Sequence, residues 1–60
     1  MKVLVKKSFM YDEEIGYIEC GIYDFIEGDR HNYPSIKYKG EWLDLADIDA
    51  IKDDIQIINE

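Results

Sequence analysis

The 60-residue chain has little of what small proteins use to staple their folds. Its one cysteine, Cys20, has no second cysteine with which to form an internal disulfide, and a single thiol does not make a structural zinc site. No apolar run approaches the roughly 18 residues of a membrane span, and the apolar stretch after Met1 is too short for a signal peptide. We therefore expect one small domain, residues 1–60, in the reducing cytoplasm.

Basic residues are also scarce, with seven Lys and Arg against fourteen Asp and Glu, for a net charge of −7. The imbalance lies in residues 41–60, which hold seven acidic residues and one lysine. Nucleic-acid phosphates are bound by Lys and Arg, so direct binding of nucleic acid is not expected. A basic protein partner fits this charge better.

Apolar residues are abundant, at 47% of the chain, which is too many for a disordered tail. Residues 2–10 are rich in β-branched and apolar side chains and predict a strand, and residues 11–16 predict a hairpin loop. Residues 15–26 predict the clearest strand, because their apolar residues alternate with period two. In that alternation Ile18, Cys20 and Ile22 share the inward face. Gly21 suggests a bulge, a sharp bend or the close approach of another backbone, and the stretch is long enough to bend and count as two strands.

The second half of the chain predicts further short elements. Residues 27–34 are a loop of turn-forming residues, and residues 35–39 and 41–45 are strands joined by a tight turn at Lys39-Gly40. Leu43 and Leu45 are expected to face inward and Trp42 outward. Residues 46–53 predict a short helix or 3₁₀ turn followed by a strand over 55–58, and the competing interpretation is one helix over 45–58.

The predicted fold class is α+β, mostly antiparallel β: a small curled sheet or a five-stranded barrel-like domain with one short helix near residues 46–53. The stretch Gly21-Ile-Tyr-Asp-Phe25 resembles the Ala-Leu-Tyr-Asp-Tyr motif of Src-homology-3 domains, and Asn32-Tyr-Pro-Ser35 is similar to their Pro-Ser-Asn-Tyr segment. The likeness covers fewer than ten residues, and Trp42 follows the proline segment rather than lying between the motifs. It implies only that a small barrel is compatible with the sequence.

Catalytic and metal-binding patterns are weak. The single histidine, His31, lies in a predicted loop, and Cys20 is expected to be buried and inert, so no catalytic residue, metal or cofactor is predicted. The acidic residues near the end of the chain lack the central glycine of a calcium-binding EF-hand loop. We expect a protein that is not an enzyme.

Two sets of residues are candidates for binding a protein partner. Three aromatic residues share the strand face opposite Ile18, and a fourth lies beside acidic residues. They would act as hydrophobic anchors for a partner unless the fold buries them. This aromatic set comprises Tyr17, Tyr23, Phe25 and Trp42. The acidic set would steer and select a basic partner, although it also serves solubility. It comprises Asp44, Asp47, Asp49, Asp53 and Asp54.

The predicted function is therefore a small acidic protein-binding module with an accessory or regulatory role inside the cell. One alternative is a phage-type inhibitor whose carboxylates mimic DNA in the binding site of a host protein. Another is a homodimeric structural protein in which the aromatic face pairs with itself.

Overall fold

The computed structural model describes residues 1–59, and about half of them lie in β-strands. The strands are β1 (Lys2–Val5), β2 (Phe9–Asp12), β3 (Gly16–Ile18), β4 (Gly21–Ile26), β5 (Ser35–Tyr38), β6 (Glu41–Asp44) and β7 (Ile55–Ile58). A 3₁₀ turn at Ile48–Ile51 is the one helical element of this range. No helix in residues 1–59 has the length and apolarity needed to cross a membrane.

Five strands form one antiparallel sheet in the order β6-β5-β4-β1-β7, and β2 and β3 form a separate hairpin. The predominance of antiparallel β-structure is confirmed. The sheet ends at β6 on one side and β7 on the other and does not close, so the barrel-like alternative is wrong. The structure has seven strands where the sequence predicted five, because each of the two long predicted strands is divided into two.

The hydrophobic core lies between one face of the five-stranded sheet and the β2–β3 hairpin. The hairpin contributes Phe9 and Ile18, and Ile18 is fully buried. The Tyr38 hydroxyl of β5 donates to the Tyr17 carbonyl at 3.4 Å and joins the hairpin to the sheet. The Ser8 hydroxyl donates to the Ile18 carbonyl at 2.9 Å, across the open end of the hairpin itself. The buried residues are Val3, Val5, Phe9, Ile18, Phe25, Ile36, Tyr38, Leu43, Leu45 and Ile55.

The predicted strand over residues 2–10 divides after Val5. The backbone N–H groups of Lys6 and Lys7 both donate to the carbonyl of Asp54, at 2.7 and 3.2 Å. Successive amides of a regular strand point to opposite sides, so a shared acceptor marks a bend in the chain. This bend releases Phe9 from the main sheet into the hairpin.

The predicted strand over residues 15–26 divides as well, and its alternation inverts at the break. Glu19 and Cys20 are both exposed, after which Ile22 is 63% exposed and Phe25 is 5% exposed. The interpretation of Cys20 as inward-facing is therefore wrong, and that of Ile22 as inward-facing is wrong as well. Gly21 permits the change because its φ is +156°, a backbone conformation that residues with a Cβ rarely adopt.

The second half of the chain follows the prediction more closely. The loop at 27–34 and strands β5, β6 and β7 are confirmed, and the helix over 45–58 is wrong. Residues 39 and 40 both have positive φ, 50° and 85°, as the turn of a two-residue hairpin requires. The predicted helix near 46–53 is only a 3₁₀ turn, and the side chain of Asp47 at its start makes no capping hydrogen bond.

Candidate protein-binding site

An open groove of about 460 Å³ lies between β2 and the segment that leads from β6 through the 3₁₀ turn. We call it the acidic groove. It is lined by Phe9, Met10, Tyr11, Asp12, Asp44, Leu45, Ala46, Asp47, Ala50 and Ile51.

Two hydrogen bonds to backbone carbonyls fix the two walls of the groove. The phenol of Tyr11 on β2 donates to the carbonyl of Asp44 at the end of β6, at 2.9 Å. The next residue, Leu45, donates its backbone N–H to the Pro34 carbonyl at 2.7 Å. The chain after β6 is thus held beside β2 without being paired to it as a strand, and a gap remains between them.

The floor of the groove is apolar. Phe9 and Leu45 are buried core residues, and Ile51 is half-buried and packs against the core. Ala46 and Ala50 are small and exposed, which leaves the floor accessible from solvent. An apolar side chain of a ligand would displace water from these groups on binding.

The rim of the groove carries three carboxylates, those of Asp12, Asp44 and Asp47. One oxygen of Asp12 accepts the backbone N–H of Ile15 at 2.6 Å, and one oxygen of Asp44 accepts the Ser35 hydroxyl at 3.0 Å. Asp44 and Ser35 also line a second cavity, so Asp44 lies between the two. None of the described residues that line the groove is Lys, Arg or His, so the charged side chains that line it are all acidic.

The phenol of Tyr11 is affected by its burial and by two of these carboxylates. Its pKa is raised above the ordinary value, first because burial disfavours the phenolate and then because Asp12 and Asp44 repel it. Tyr11 therefore keeps its proton at neutral pH and acts as a donor in the wall of the groove.

The structure divides the predicted acidic set. Asp44 and Asp47 lie on the groove, whereas Asp49, Asp53 and Asp54 do not line it. Sequence reasoning missed Asp12, which reaches the groove because β2 folds back beside the end of β6. The only sequence signal was its place in an acidic cluster, and nothing local linked that cluster to Asp44.

The predicted aromatic set is divided as well. Phe25 is buried in the core, so it is not available as an anchor, and the inverted alternation after Gly21 is the reason. Tyr23 is half-buried, with its ring centroid 5.4 Å from that of Tyr38 and its hydroxyl donating to the Glu19 carbonyl at 2.7 Å. Tyr17 and Trp42 are exposed, at 63% and 46%.

The two exposed aromatics of that set lie on different surfaces. Tyr17 on β3 is opposite Met10, which lines the groove and is 54% exposed, so Tyr17 extends the apolar surface beside the groove. Trp42 lies on the outer face of β6 opposite Lys37, whose ammonium is 5.9 Å from the centroid of the indole ring. Trp42 is not part of the acidic groove.

The residues suited to catalysis or metal binding are not assembled. Within residues 1–59 no group of three or more His, Cys, Asp and Glu side chains has the arrangement of a metal site. His31 is exposed in the loop at 27–34, where its backbone N–H donates to Asp29 at 2.7 Å. No protein-family model matches the chain, and no curated protein or solved structure matches it either.

Proposed function

We propose that this chain is a non-enzymatic protein-binding module that receives a basic and apolar segment of another protein in the acidic groove. The observation that supports the proposal is the composition of the groove: three aspartates, Asp12, Asp44 and Asp47, line it beside an apolar floor, and none of its lining residues in the described part of the chain is basic. Such a surface selects a ligand by charge and holds it by burial.

Lysine and arginine meet both requirements. Their alkyl stems cover apolar surface while their charged ends reach carboxylates. The hydrogen bonds between these cations and carboxylates are charge-assisted and are stronger than those between neutral groups. An extended segment in which Lys or Arg alternates with an apolar residue would place cations on the rim and apolar side chains on the floor.

The charge of the whole chain supports the same partner class. A net charge of −7 attracts basic surfaces over distances of about a Debye length, roughly 8–10 Å at physiological salt. This attraction raises the association rate, and the groove would then decide which segment stays bound. Met10 and Tyr17 would supply further apolar contact beside the groove.

Mimicry of DNA is the alternative form of this proposal. A protein that binds nucleic acid presents a basic surface, and carboxylates would occupy it in place of phosphates. In that case the whole acidic surface would contribute, including Asp49 and Asp53, which are exposed and lie outside the groove. The distinction between groove and general surface is therefore open to experiment.

The test uses a defined probe, a peptide of alternating Lys and Leu, titrated into isotope-labelled protein and followed by amide chemical shifts. The proposal expects saturable shifts at residues 9–12 and 45–51. The matched variants are Asp44→Asn/Asp47→Asn and Asp49→Asn/Asp53→Asn, which change the net charge equally.

The variants separate the two forms of the proposal. Groove binding requires that the Asp44/Asp47 variant lose most of its affinity while the Asp49/Asp53 variant keeps it. An equal loss in both variants favours general charge mimicry. If the peptide gives no saturable shifts, or if a Glu-Leu peptide of the same length binds as well, groove recognition of basic segments is wrong.

A further inference from the structure

The second edge of the five-stranded sheet, strand β7, has backbone N–H and C=O groups that bond to no other group in residues 1–59, and their direction is fixed. The Asp54 carbonyl accepts the Lys6 N–H, so Asp54 directs its carbonyl toward β1. Backbone groups alternate along a strand, so Gln56 and Ile58 also face β1, while Ile55 and Ile57 direct their N–H and C=O groups to the open side.

The hydrogen bond from the Phe25 N–H to the Met1 carbonyl independently shows which residues of β1 direct their backbone groups toward β7. It directs the odd residues of β1 toward β4 and leaves the even residues for β7. The register of β1 and β7 then pairs Leu4 with Gln56 and Lys2 with Ile58 as the hydrogen-bonded positions. In residues 1–59 the only strand beside β7 is β1.

The two edges of the sheet differ in how they are protected. The β6 edge carries carboxylates at both ends, Glu41 and Asp44, which discourage pairing with another strand. The β7 edge is Ile-Gln-Ile-Ile, with no charge, no proline and no bulge. Ile57 lies on the core side of the sheet by alternation, yet it remains 37% exposed. Such an edge is a template for strand pairing.

The sequence of the β7 edge is palindromic, which suits pairing between two identical strands. Ile55-Gln56-Ile57 reads the same in both directions, so two antiparallel copies related by a two-fold axis at Gln56 place Ile55 opposite Ile57 of the partner subunit. The outward N–H and C=O groups of these residues then pair with each other. Asp54 meets an apolar residue rather than another carboxylate, which matters for a chain of charge −7.

We propose that the chain associates with a second copy of itself through β7, in antiparallel register, to make one continuous ten-stranded sheet. This inference goes beyond the proposed function and does not depend on it, because β7 lies outside the acidic groove. The contact is a short one, so the association is weak and depends on concentration.

The test is sedimentation equilibrium over a wide range of protein concentration at moderate salt. The average mass of the wild type should rise from the 7.1 kDa of one chain toward twice that value. Ile57→Pro removes an outward N–H and none that bonds to β1, and proline is tolerated at such edge positions. This variant should remain at 7.1 kDa with an unchanged circular dichroism spectrum. The matched control Ile57→Val keeps the N–H and should still dimerise.

Three results would overturn the proposal: a wild type that stays monomeric at the highest concentration, an Ile57→Pro variant that folds and dimerises normally, or loss of the dimer in Ile57→Val. If Ile57→Pro does not fold, hydrogen exchange in the wild type decides. Protection of the Ile57 amide must increase with protein concentration, and protection that is independent of concentration refutes the pairing.

Discussion

The packing of the β2–β3 hairpin on the main sheet can be tested by removing one methylene group from a buried side chain and measuring the change in the free energy of unfolding. Ile18 on β3 is fully buried between the hairpin and the sheet, and Ile22 on β4 is 63% exposed on the outer face. Both residues are in strands, so Ile→Val preserves the β-branched shape at each position and removes the same group. The two variants therefore differ only in burial.

The expected magnitudes are well separated. Ile18→Val should cost roughly 0.5–1.5 kcal/mol, from lost transfer free energy and the small cavity that remains. A chain of this length has a total stability of roughly 3–9 kcal/mol, so the loss is a substantial fraction of it. Each kcal/mol corresponds to a decrease in Tm of roughly 4–8 °C for a domain of this size. Ile22→Val should change stability by less than about 0.5 kcal/mol, as exposed substitutions do.

Urea unfolding followed by circular dichroism gives both values, provided that the slope m is the same for the variants. If Ile18→Val were no more costly than Ile22→Val, the hairpin would not be packed on the sheet in solution. The acidic groove would then lack a fixed wall, because β2 forms that wall. A decrease in m for Ile18→Val alone would indicate that the hairpin separates before the sheet unfolds.

Three further predictions concern single interactions. Tyr11→Phe removes the hydrogen bond to the Asp44 carbonyl and should lower the free energy of unfolding in urea by about 1 kcal/mol. Because the pKa of Tyr11 is raised, the stabilisation by its phenol is present below the ordinary tyrosine pKa and is lost as pH rises through the raised value. The cost of the substitution should therefore shrink in alkali. The pKa of Asp29 is lowered by the backbone N–H groups of His31 and Asn32, so its contribution is lost as pH falls through the lowered value; Asp29→Asn should flatten the acid limb of a stability–pH profile, and an unchanged limb would contradict this. Gly40→Ala forces an alanine to φ near 85° and should cost about 1–2 kcal/mol, which a thermal melt would detect; a neutral result would mean that the turn can change type.

Features that short stretches encode were predictable from the sequence. The turn at Lys39-Gly40 was found because a glycine between two alternating segments supplies the positive φ that the turn needs. Strand β7 was preferred over a helix because β-branched residues dominate it, and in the structure it pairs with β1 along one side. The loop at 27–34 was found for similar local reasons.

Features that depend on the meeting of distant segments were not predictable. The inversion between Ile18 and Phe25 is invisible to a period-two pattern, because such a pattern carries no information about a change of phase within the run. The groove depends on the contact of Tyr11 with Asp44, which are 33 residues apart. A cluster of acids around Asp12 and another around Asp47 were visible separately, but only the path of β2 brings them together.

The position of β1 at the interior of the sheet decides the order in which the domain can assemble. Strands β4, β5 and β6 are joined by the loop at 27–34 and by a two-residue turn, so they can form a meander from nearby segments. Val3, in contrast, pairs with Ile57 across 54 positions of the chain. Closing a loop of that length costs roughly 3.5 kcal/mol of chain entropy, which only the completed core offsets. During synthesis, therefore, β1 is made before the other six strands but is the last interior strand to gain its second neighbour. Until β7 is made, the free edge of β1 can pair with a strand of another chain.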